Sequence, residues 1–148
     1  MCCGMITAEH FAKMYIMENE KLEHADKTYA EALGFYKALE KTLTHKSKFS
    51  NELLYQMSAM CFEKMFVALL AFHGRNATHH MPYSLIREVE TFITVPQKVS
   101  DTAKFIGSFE SICSLSGFGY KMPNDEELHK IIVGLVDCHA FVEQYVTV

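Results

Sequence analysis

Groups able to ionise, donate or ligate gather in only a few places along this chain. The densest is a polar loop from Arg75 to Met81, which holds Asn76, Thr78, His79 and His80. A histidine titrates near neutral pH, and a guanidinium grips an anion through two parallel hydrogen bonds. Simpler roles are also open: Arg75 capping the last carbonyls of a preceding helix, and His80 capping the next one. A second place is Glu63-Lys64, two charges inside an otherwise apolar run. A charge taken out of water needs a partner. The partner is expected on a neighbouring helix or on a second copy of the chain; otherwise the two residues line a ligand cleft between helices.

The eight histidines raise the question of metal. A di-iron bundle needs two inward-facing Glu-x-x-His pairs. Only Glu126 and His129 have that spacing, and they fall at the start of a helical pattern. His79-His80 and Cys138-His139 are adjacent pairs, whose side chains point different ways on a helix. No metal or other cofactor is expected, and no Gly-rich phosphate loop is present. The five cysteines form no C-x-x-C. Cys61, Cys113 and Cys138 lie in apolar stretches and are expected as small buried hydrophobes in a reducing compartment.

Net charge is −4, with 14 Lys+Arg against 18 Asp+Glu. A strongly basic nucleic-acid footprint is therefore absent over the chain as a whole. A local basic run, Lys37, Lys41, Lys46 and Lys48 with His45, suits the negative pole of a helix end. The start, Met1-Cys2-Cys3-Gly4-Met5, has no basic segment ahead of an apolar one, so no signal peptide is expected. The longest charge-free apolar run, Met65 to Phe72, is far short of the ~20 residues that span a bilayer. These features predict a soluble cytoplasmic protein with no membrane contact.

The elements that must position these groups are helical. Ala8, Phe11, Tyr15, Glu18, Leu22, Ala25, Tyr29, Ala32, Tyr36, Leu39 and Leu43 follow alternating steps of three and four. That stripe predicts either one long helix with a projecting arm or two helices divided near residue 20. From Asn51 to His73 apolar residues occur nearly all round, the mark of a central helix. Ser50 is its N-cap and Gly74 its stop. Pro82 opens a short helix with Leu85, Ile86, Val89, Phe92 and Ile93 inward, and Pro96 closes it. Residues 98–116 show helical spacing again, and Ser116 to Tyr120 is a two-glycine breaker. Asn124 and Glu127 form a capping box for the last helix. No period-two strand survives. The expectation is an all-α bundle of five helices, or six if the first stripe is divided.

From about Glu31 onward the layout resembles the HEPN family (higher eukaryotes and prokaryotes nucleotide-binding domains). The resemblance rests on the apolar helix Ala59 to Gly74 with its inner Glu63-Lys64, then His80 and Leu85, and on the segment Ser116 to Pro123 before a capped final helix. It implies an antiparallel up-and-down helical bundle that often forms a homodimer. It also implies links to RNA cleavage, nucleotide binding, and toxin–antitoxin or nucleotidyltransferase partnerships. Members active on RNA carry Arg, a polar residue, a few more positions, then His, near the start of a later helix. Here Arg75 to His80 has that spacing but sits in the loop after the central helix. The later region reads Gly119-Tyr120-Lys121-Met122-Pro123, without the Arg that related chains often place before Tyr-Pro.

The reading that follows is a single HEPN-like domain over residues 1–148, with residues 1–23 a possible helical arm. It is non-catalytic and homodimeric, and it binds a nucleotide, RNA or a protein partner. The ligand contacts expected from this reading are Asn76, His79, Glu63, Lys64, Tyr120 and Lys121. An alternative is a metal-independent endoribonuclease of toxin type. Its His80 would shuttle a proton between the 2′-OH and the leaving oxygen, Arg75 would hold the phosphate and Asn76 would orient it. A second alternative is a pure protein-interaction module whose N-terminal stripe docks on a partner helix.

Overall fold

In a computed structural model that describes residues 7–111 and 121–146, Ser111 by its backbone alone, every regular element among those residues is an α-helix. Helix α1 runs Ala8–Lys41, α2 Asn51–Phe72, α3 Pro82–Glu90, α4 Gln97–Ser111 and α5 Asp125–Glu143. The all-α class read from the sequence holds. Ile112, Cys113, the Ser116–Tyr120 breaker and the N-terminal cysteine pair lie outside the described residues.

The first stripe makes one helix, not two. Thr7 starts it, its hydroxyl accepting from the His10 N–H at 3.3 Å. At 1.5 Å per residue its 34 residues reach about 50 Å. Its two halves live in different surroundings. Ala25, Thr28, Ala32, Tyr36 and Leu39 are buried, while every residue from Thr7 to His24 is exposed.

Helix α2 is the core. Phe62, Met65, Phe66, Leu69 and Leu70 are sealed from water, and α1, α3 and α5 pack around them. It is the one described helix long and apolar enough to cross a bilayer, yet its faces are largely hidden by its neighbours, as in a core helix. The expectation of apolar burial on every side needs one correction. Leu53 and Met60 stay open, because among the described residues no helix covers that side of α2 along its first three turns. Helix α4 closes the bundle against α3 and α5. The Tyr55 phenol, buried on α2, donates to the Ile106 carbonyl of α4 at 3.0 Å.

The ends follow local chemistry. Ser50 caps α2 by accepting from the Leu53 N–H at 3.2 Å. Gly74 turns the chain at φ +71°. There the Arg75 N–H bonds to the Leu70 carbonyl and the Gly74 N–H to that of Ala71, the paired pattern that seals a helix C-terminus. Pro82 occupies the first turn of α3. Asn124 and Glu127 complete a reciprocal capping box on α5.

Candidate functional site

One side of α2 carries Glu52, Tyr55, Gln56, Ala59, Met60 and Glu63, spaced by threes and ones. That spacing lays six residues along a single helical face. Among the described residues the face is left open between α2, the start of α3 and the end of α4. The resulting cleft is completed by His80, Pro82, Glu110 and Met122 and holds about 450 Å³. Its floor is apolar, from Tyr55, Ala59, Met60, Pro82 and Met122. Besides the Tyr55 phenol, which is bonded to the Ile106 carbonyl, its polar side-chain groups are three carboxylates, one carboxamide and one imidazole.

The Schellman-type turn at Gly74 sends the chain back along α2. The loop is then pinned by Glu88 of α3, whose carboxylate accepts from the backbone N–H groups of Thr78 and His79 and from the Thr78 hydroxyl at 2.7 Å. His79 Nδ1 stands 3.0 Å from the same carboxylate. His80, the next residue, therefore reaches the cleft, with Nδ1 2.8 Å from Glu63 Oε1.

Glu110 faces these groups from α4. Partial burial, and then the charge of Glu63, push its carboxyl above the usual carboxylate range. A carboxyl raised by burial and by a neighbouring carboxylate, in a concave and partly apolar site, marks a candidate ligand-binding or acid–base centre. The lining holds no Arg or Lys among the described residues. Nor do any three His, Cys, Asp or Glu side chains among those residues converge as a metal cage.

The residues singled out from sequence are divided among several places. Glu63 and His80 meet in the cleft. Arg75 does not join them: its guanidinium carbon lies 4.2 Å over the Phe92 ring, and Nη1 donates to Thr91 Oγ1 at 3.2 Å. The capping role considered for Arg75 is played by its backbone N–H, not by its side chain. His80 does not cap α3, whose N-cap is Met81. His79 serves Glu88. Asn76 lines a shallow hollow with Met17, Lys21 and His24 of α1.

Lys64 has the neighbouring-helix partner expected of it, Glu31 on α1 at 2.6 Å. Neither Glu63 nor Lys64 is buried, however: Glu63 lines the cleft and Lys64 turns to Glu31 of α1. Lys121 sits 3.5 Å from Glu127 and over the Phe109 ring at 5.6 Å. Tyr120 lies outside the described residues.

Sequence reasoning passed over Glu52, Gln56 and Glu110. The first two were legible in principle, as a polar line at helical spacing through an apolar helix. Glu110 was not, since nothing local announces that the end of α4 comes beside the middle of α2. The two described cysteines offer no further chemistry. Cys61 and Cys138 are fully buried and free. Burial pushes the Cys61 thiol up to about 12 and that of Cys138 up as well, so neither supplies a thiolate.

No protein-family model, curated protein or solved structure matches the chain.

Proposed function

We propose that this chain is a HEPN-like helical binding protein without catalytic activity of its own. It works as a homodimer, and its cleft holds a basic, part-apolar segment of a protein partner. The observation that carries this reading is the cleft's lining, with Glu52, Glu63 and Glu110 over an apolar floor. Ionising Glu110 is costly in its half-buried place beside Glu63. A bound cation relieves that cost, whereas a phosphate adds to it. An Arg or Lys side chain fits both demands, its methylenes on Tyr55 and Met60 and its charged head among the carboxylates. A nucleotide or RNA backbone meets no Arg or Lys among the described lining residues, and Arg75 is occupied with Phe92 and Thr91. The same fact weighs against the ribonuclease alternative, which needs Arg75 and His80 at one phosphate.

The test uses n-butylguanidinium and AMP as probes, followed by the backbone amide resonances of the labelled protein. The cation is expected to shift Glu63, His80 and Glu110 saturably. The Glu63→Gln/Glu110→Gln double variant should weaken it about tenfold, the scale of a lost charge-assisted pair. Shifts of these residues by AMP and not by the cation would reverse the assignment. A companion assay incubates structured RNA with wild type and His80→Ala in EDTA. Cleavage by wild type alone would overturn the non-catalytic reading.

A further inference from the structure

The N-terminal half of α1 is a helix with an apolar face that no described element covers. Phe11 is 61% exposed, Tyr15 68% and Leu22 46%, with Met14 also open. Large apolar side chains in a row at this exposure mark a contact surface. An isolated helix of this length is marginal in water, so its order calls for a neighbour.

Two features identify the neighbour. First, Phe11, Tyr15, Glu18 and Leu22 continue without a phase change the face that Ala25, Tyr29, Ala32 and Tyr36 turn toward the bundle. A surface continuous with a helix–helix interface is shaped for another helix. Second, the steps along Phe11, Tyr15, Glu18 and Leu22 are four, three and four, and they read the same in both directions. A two-fold axis passing between Tyr15 and Glu18 therefore sets Phe11 against Leu22 and Tyr15 against Glu18, twice over. Such a surface is complementary to itself. It also resolves the polar break in the stripe, since the phenol of one copy can donate to the Glu18 carboxylate of the other.

We infer that residues 8–24 are the dimerisation element of this protein, pairing antiparallel with the same segment of a second copy. This deepens the homodimer of the proposed function by naming its surface. It does not use the cleft, so its failure leaves the butylguanidinium result standing.

The experiment is sedimentation equilibrium of the full chain over a range of concentrations. Wild type is expected at twice the 16.9 kDa chain mass. Phe11→Lys and Leu22→Glu should each weaken the dimer by about tenfold or more, the size of an interface anchor lost. Combining the two substitutions should restore it, because antiparallel pairing places each new cation against a new anion. Both positions are exposed, and the circular dichroism of the bundle verifies that the fold is kept. A wild-type monomer overturns the inference, whether or not its arm then binds anionic vesicles. So does a dimer indifferent to the single changes. Failure of the double variant to recover refutes the antiparallel register.

Discussion

Glu88 and Glu110 are both carboxylates beside the same loop, and their surroundings push them in opposite directions. For Glu88, burial works against the charged form. Hydrogen bonds from the Thr78 and His79 side chains and backbone outweigh it and hold the carboxyl below its usual range. A depressed folded-state value contributes stability above the unfolded carboxylate pKa, and that stability is lost as pH falls through the folded value. Glu88→Gln should therefore cost about 1 kcal/mol at neutral pH, the net worth of hydrogen bonds to a charged and partly solvated group. The gap to wild type in urea melts should close in acid, below the ordinary carboxylate pKa. A gap that persists there would assign the loss to shape instead of charge. Glu110 carries the reverse sign: its raised value means that ionisation costs stability at neutral pH, a cost suited to a site awaiting a cation.

At the scale of elements, the ends of helices decide where the cleft's parts arrive. Gly74 is the clearest case. Its φ of +71° lies where a side chain is strained, and the turn it makes starts the loop that delivers His80 to Glu63. Gly74→Ala is expected to lower stability by about 1 kcal/mol. It should also weaken butylguanidinium binding, with the thermal midpoint and the titration read on one sample. Unchanged binding in a destabilised variant would show that Glu88 alone is enough to pin the loop. The salt bridge between Lys64 and Glu31 is a smaller matter. It joins α1 to α2 in solvent, where such pairs contribute little. The single helix α1 follows from a stripe that never loses phase from Ala8 to Leu43, with Gly34 too weak an interruption to divide it.

For the whole molecule, the governing fact is how closely the helices approach. At Gly134 on α5, a Cβ would meet the side chain of Thr102 on α4, with Cγ2 at 2.7 Å. At Gly34 on α1 nothing lies within 4 Å. Gly34→Ala should raise stability by up to ~1 kcal/mol through helix propensity. Gly134→Ala should lower it by about 1–2 kcal/mol, since overpacking exceeds that gain. Equal shifts of the two melting midpoints in the same direction would contradict the close approach of α4 to α5.

Much of the architecture was legible in the order of residues, because helices are specified locally. The three-and-four spacing, Ser50, Gly74, Pro82 and the Asn124–Glu127 box each act within a turn or two of chain, so class and those boundaries could be read without the fold; the end of α3 could not, since the apolar spacing carries on to Phe92 and Ile93 whereas the helix stops at Glu90. The cleft could not be read so fully. Its walls come from residues 52–63, 80–82, 110 and 122, which meet only after the bundle closes. Arg75 and His80 are five apart, yet a turn at Gly74 and a ring at Phe92 send them to different surroundings. Likewise, glycine in a helix looks the same at positions 34 and 134. Which one a methyl group would help and which it would harm depends on whether another helix passes beside it, a distance set by packing and not by neighbours in the chain.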